Sequence, residues 1–79
     1  MIELKLMDEI IKAVVEKVTN LKNNTDEVIF VMDIKSKLDE TMKTAIRLKL
    51  KELFTKDSVY FITNSNNLIV DWSLNPRRK

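Results

Sequence analysis

Four residues from one short segment have the types and spacing to act together: Lys43, Thr44, Arg47 and Lys51. A helix over residues 41–54, projected at about 100° per residue, gathers them on one side. Met42, Ala45, Ile46, Leu50 and Leu53 fall on the other, and Lys49 projects toward that apolar side. Three of the four are cationic and none is acidic, so the face they make can neutralise phosphates. An arginine or lysine there can also pair with guanine edges. Arg47 is the best single candidate for a base contact, because its planar fork makes two hydrogen bonds where lysine offers a point charge. It is the only arginine outside the terminal Arg77-Arg78-Lys79. A solvated, lysine-rich helix face has the same pattern, and both readings stand at this point.

Other chemistries lack the groups they need. Cysteine and histidine are absent, which removes disulfides, ordinary zinc sites and histidine-based proton transfer. Glycine is absent too, and phosphate-cradling loops of the Walker or dinucleotide-binding kinds need it for close backbone approach. Left-handed backbone positions must then fall to asparagine, found at Asn20, Asn23 and Asn24 and again at Asn64, Asn66 and Asn67. The carboxylate neighbours Asp8/Glu9, Asp26/Glu27 and Asp39/Glu40 would diverge by about 100° on a helix. Ser36, Ser58 and Ser65 have no histidine to activate them. The expectation is a protein that is not an enzyme, with no metal, cofactor or small-molecule ligand.

Several elements must position the cationic segment. Leu4, Met7, Ile11, Val14, Val18 and Leu21 recur at spacings of three and four, which predicts an amphipathic helix ending near Leu21. Ile2, Leu4 and Leu6 also alternate, so a short initial strand competes for the first residues. The apolar run 28–32 predicts a short buried strand, after which Asp33 is placed to cap a helix from Ile34. Residues 34–54 read either as one helix or, the favoured reading, as a short helix, a turn near 38–41 and a longer helix. Alternation over 58–63 and 68–72, joined by Asn64-Ser65-Asn66-Asn67, predicts an antiparallel hairpin. Phe30, Phe54, Phe61 and Trp72 belong to the expected core, with Tyr60 half-exposed.

The chain of 79 residues carries a net charge of +2 that hides a gradient. Residues 23–40 sum to −3 and residues 41–56 to +4, a local concentration suited to a polyanion. A chain this short buries only about 60–65% of its unfolded surface, so a homodimer is a plausible supplement. The stripe Leu4, Met7, Ile11, Val14 and Val18 could form its seam or pack on the domain's own core. No apolar run is long enough to span a bilayer and no signal-peptide layout is visible. The expectation is a soluble, cytoplasmic protein with one domain over residues 1–75 and a basic tail at 76–79.

Helix, short strand, two helices and a hairpin, in that order, resemble the winged helix-turn-helix family of DNA-binding domains over residues 5–72. The resemblance implies an α+β fold of three helices, a short strand and a C-terminal β-hairpin wing. Residues 33–38 would be the supporting helix and 41–54 the recognition helix in a major groove. By the same resemblance, Lys43, Thr44, Arg47 and Lys51 would face double-stranded DNA, with hairpin 59–72 beside it. Asn64, Asn66 and Asn67 would touch the flank, and Arg77 and Arg78 would reach phosphate or minor groove. The function implied is regulation of transcription or DNA maintenance. The alternative is a protein-interaction module dimerising through the first helix.

Overall fold

The computed structural model describes residues 3–74, so expectations placed on Ile2, Arg77 and Arg78 lie outside the described residues. Its order is α1 (Leu4–Asn24), β1 (Ile29–Asp33), α2 (Glu40–Leu53), β2 (Ser58–Phe61) and β3 (Asn67–Asp71). The strands form one antiparallel sheet in the order β1-β3-β2, and both helices contribute to a single core against one of its faces. The α+β class and the C-terminal hairpin are present. The three-helix winged arrangement is not, because only two helices exist among the described residues.

The missing helix has a local cause. Asp33 ends β1 and caps no helix, and Ile34 continues the ladder by donating its N–H to the Asn66 carbonyl at 3.1 Å. Asn66 Nδ2 donates to the Ser36 carbonyl at 3.0 Å, holding the next residues against the hairpin. Asp39 is already the N-cap of α2, with its carboxylate accepting from the Met42 N–H at 2.8 Å. The few residues between these constraints cannot repay the cost of nucleating a helix. Ile34 and Leu38 reach the core from a segment that is neither helix nor strand. Neither expected reading of 34–54 holds: no helix precedes a turn at 38–41, and the single helix α2 begins only at Glu40.

Helix α1 runs to Asn24, three residues beyond the expected end. Thr25 stops it by covering the Leu21 carbonyl with both its N–H and its hydroxyl, at 3.1 and 2.8 Å. Ile10, Ile11, Val14 and Val18 are buried along it, and no helix of the described residues is long and apolar enough to cross a membrane. Strand β1 departs from the fully buried strand expected of its apolar run. Phe30 points into the core while Ile29 and Val31 are exposed, because β1 is an edge strand covered on one face only. An unbroken apolar run does not distinguish these cases. Asn64, at φ 60°, is the one residue with positive φ among those described, so one of six candidate asparagines takes the left-handed role.

One buried ion pair ties the far ends of these elements together. Lys22 Nζ lies 2.6 Å from Asp57 Oδ2, with the Asp57 side chain 5% exposed and that of Lys22 20%. The same ammonium sits 5.0 Å from the Phe54 ring centre and 5.1 Å from that of Trp72. Trp72 is fixed in turn by Nε1 donating to the Glu27 carbonyl at 3.0 Å. Removing one partner of a buried pair strands the other charge and typically costs about 3–5 kcal/mol. Asp57→Ala should thus lower unfolding free energy by about 3 kcal/mol in urea titrations. Combining Lys22→Met with Asp57→Leu should recover most of that loss, whereas a purely additive double variant would contradict the coupling.

Candidate nucleic-acid interface

Lys43, Arg47 and Lys51 stand four residues apart on α2, and the geometry of that row follows from the helix repeat. Each step of four residues advances about 40° beyond a full turn. Measured from Ile46, which is fully buried, the row drifts from about 60° at Lys43 to about 140° at Lys51. Lys43 therefore lies against the hairpin, Arg47 is half-buried, and Lys51 starts from the open side.

Each cation meets a different environment. The Lys43 side chain is 13% exposed. Its Nζ donates to the Ser65 carbonyl at 2.8 Å and lies 5.8 Å from the Phe61 ring centre. Glu40 Oε1 is 3.9 Å away, a loose pair with an exposed carboxylate. Lys51 Nζ donates to the Thr55 carbonyl at 3.2 Å and to the Asp57 carbonyl, closing the turn after α2. Arg47 lies between them beside a groove of about 270 Å³ lined by Glu40, Lys43, Thr44, Arg47, Tyr60 and Phe61. Among the described residues its guanidinium has neither ion pair nor hydrogen bond.

The seam between α2 and β2 is thus cationic, and two of its three charges are held by neutral carbonyls that leave the charge in place. Thr44 is exposed at its rim. The outermost surface of α2 carries no cation in its open apolar depression, which Thr41, Thr44, Ala45 and Leu48 line with the exposed Glu40 carboxylate. Sequence projection groups the cations correctly but does not show that Lys43 and Lys51 curl toward carbonyls, one of them 22 residues away. Lys49 is exposed, although the helix repeat sets it only about 60° from buried Ile46.

The hairpin tip is ordered by its own bonds. Ser65 N–H and Oγ both donate to the Ile62 carbonyl, and the Asn67 N–H donates to Ser65 Oγ at 3.1 Å. Of the three asparagines proposed for a flank contact, Asn64 is exposed, Asn66 holds Ser36, and Asn67 is half-buried within β3. On α1, Ile11, Val14 and Val18 are buried in the domain's own core, Met7 is partly buried against it, and only Leu4 of the expected seam is exposed. The chain matches no known protein family, no curated protein and no solved structure.

The Lys43 bond links helix to hairpin, so its loss should be read locally. Lys43→Met keeps the apolar stem over Phe61 but removes the donor to Ser65, at about 1 kcal/mol for the lost bond. Amide exchange at residues 64–67 should quicken about fivefold, while Thr44→Ala leaves it unchanged. Equal exchange in both variants would mean that the tip does not depend on Lys43.

Proposed function

We propose that this protein binds double-stranded DNA through the α2–hairpin seam, as a regulator of transcription or of DNA maintenance. One observation carries the reading: three cations in a row, Lys43, Arg47 and Lys51, with a single loose carboxylate contact among the described residues. The row spans about 12 Å of helix. That length meets about three phosphates of one strand, spaced at about 3.4 Å of axial rise. Lys43 retains two N–H donors beyond its Ser65 bond, and Arg47 retains all five. The Thr44 hydroxyl lines the same groove, and the exposed Asn64 amide lines a neighbouring one on the hairpin side of Lys43, so both add neutral donors.

In this reading Arg47 supplies the central contact and the two lysines orient the backbone around it. The placement of the row beside the hairpin makes phosphate the principal target, since Arg47 emerges from a groove instead of the crest of α2. Phosphate contacts set register and affinity, whereas base contacts set sequence preference. A second reading, contact with protein instead of nucleic acid, draws on exposed apolar residues of the sheet.

Titrating a random-sequence duplex over a range of salt concentrations tests the first reading. Three neutralised phosphates give a log–log slope near −3. Arg47→Ala should reduce that slope by about one, with an unfolding curve matching the parent. Arg47→Ala with Lys51→Ala should flatten it to about −1. Absent binding at low salt, or a slope indifferent to Arg47, would turn the assignment toward protein contact.

A further inference from the structure

The outward face of the sheet is apolar where β1 meets open solvent. Val31, Ile69 and Tyr60 lie side by side across β1, β3 and β2. Ile69 is 4% exposed between neighbours that are 55% and 44% exposed, and it belongs to none of the core facing the helices. Ile29 and Ile62 are exposed alongside. This strip reaches the outer edge of β1 without interruption.

The backbone of that edge is also open. Trp72 N–H donates to the Val28 carbonyl and Ile34 N–H to the Asn66 carbonyl, so even-numbered residues bond to β3. By alternation, Ile29, Val31 and Asp33 aim their N–H and C=O groups away from the sheet. Edge strands in monomers are commonly blunted by proline, an internal lysine or a bulge. Strand β1 has none of these, and its pairing with β3 runs unbroken from Ile29 to Asp33.

We infer that β1 is the interface for a second copy of this chain, joined antiparallel across a two-fold axis through Val31. In that register Val31 faces its own counterpart and Ile29 faces Asp33 of the other copy, each exchanging N–H and C=O bonds. Two residues beyond each end of the paired strands, outside the hydrogen-bonded ladder, Glu27 stands opposite Lys35 of the other copy as a side-chain pair. Both residues are exposed, and Glu27 has no ion pair among the described residues. Lys35 donates to Asp33 Oδ2 at 2.8 Å, which leaves two of its donors for the incoming carboxylate.

Charge selects this register over its neighbours. A shift one way sets Glu27 against Asp33, two acids in opposition. A shift the other way sets both Ile29 and Val31 against charged side chains, Lys35 and Asp33, where the chosen register does so for Ile29 alone and keeps Val31 against Val31. In the chosen register the apolar strip runs continuously from Tyr60 of one copy to Tyr60 of the other. The interface is isologous, so each favourable contact occurs twice.

Sedimentation equilibrium of the full chain tests the inference. The parent should form dimers, and Val31→Lys should yield monomers that keep the parent's circular-dichroism spectrum and melt independently of concentration. Glu27→Lys replaces two attractions with two repulsions across the pair and should raise the dimer Kd about tenfold or more. Adding Lys35→Glu to it should restore the parent value. Arg47→Ala should leave the dimer intact, which keeps this outcome separate from DNA binding. A parent that stays monomeric leaves the edge to a strand of another protein and overturns the inference. Dimers indifferent to Val31→Lys, or no rescue by the charge swap, overturn it equally.

Discussion

A lysine and an aspartate 35 residues apart, enclosed by two aromatic rings, hold the ends of this fold in place. Lys22 comes from the last turns of α1, Phe54 closes α2, Asp57 sits in the following turn, and Trp72 follows β3. Charges taken out of water persist only with close partners and good geometry, so these segments have little freedom relative to one another. The consequence reaches the seam. The turn that places the Asp57 carboxylate also presents the Thr55 and Asp57 carbonyls to Lys51. The position of the outer cation is thus inherited from a charge pair on the other side of the same turn.

Order and reach are balanced along the row of cations. Lysine side chains lose substantial rotamer freedom when they are immobilised, and two of the three have already done so in the folded chain. An anion arriving at the seam meets charges whose positions are largely set, with a smaller entropic penalty than free lysines would impose. The same tethering limits how far Lys43 and Lys51 extend, and the freedom to adapt remains with Arg47. A domain with a small core thus uses its cations twice, as fasteners for the hairpin and the helix end and as a source of positive potential.

Much of the architecture was legible in the sequence because it depends on local pattern. The three-and-four spacing from Leu4 to Leu21 marks α1, and the two alternating runs around Asn64–Asn67 mark the hairpin. The segment 34–39 misleads because Ile34 and Leu38 have helical spacing. Their conformation is decided by Asn66, 30 residues from Ser36 and invisible to any local pattern. The Lys22–Asp57 pair was illegible for the same reason, since neither residue differs in type from its many charged neighbours. At the seam, the periodicity of α2 groups Lys43, Arg47 and Lys51, but the carbonyls that receive the lysines follow from tertiary placement. The half-exposure of β1 depends on which strand occupies the centre of the sheet, which hydrophobicity alone does not specify.

That centre belongs to β3, the last strand among the described residues, and the placement governs the order of assembly. Neither β1 nor β2 has a hydrogen-bonded neighbour until Asn67–Asp71 arrives. During synthesis α1 and α2 can coil as they emerge, whereas the sheet must wait for nearly the whole described segment to leave the ribosome. Ile29 then has to find Asp71, a closure across more than half the chain, and such distant pairings slow folding relative to local contacts. In that interval Val28–Met32 stands with both flanks bare, which makes the nascent chain most prone to stray association just before β3 is made.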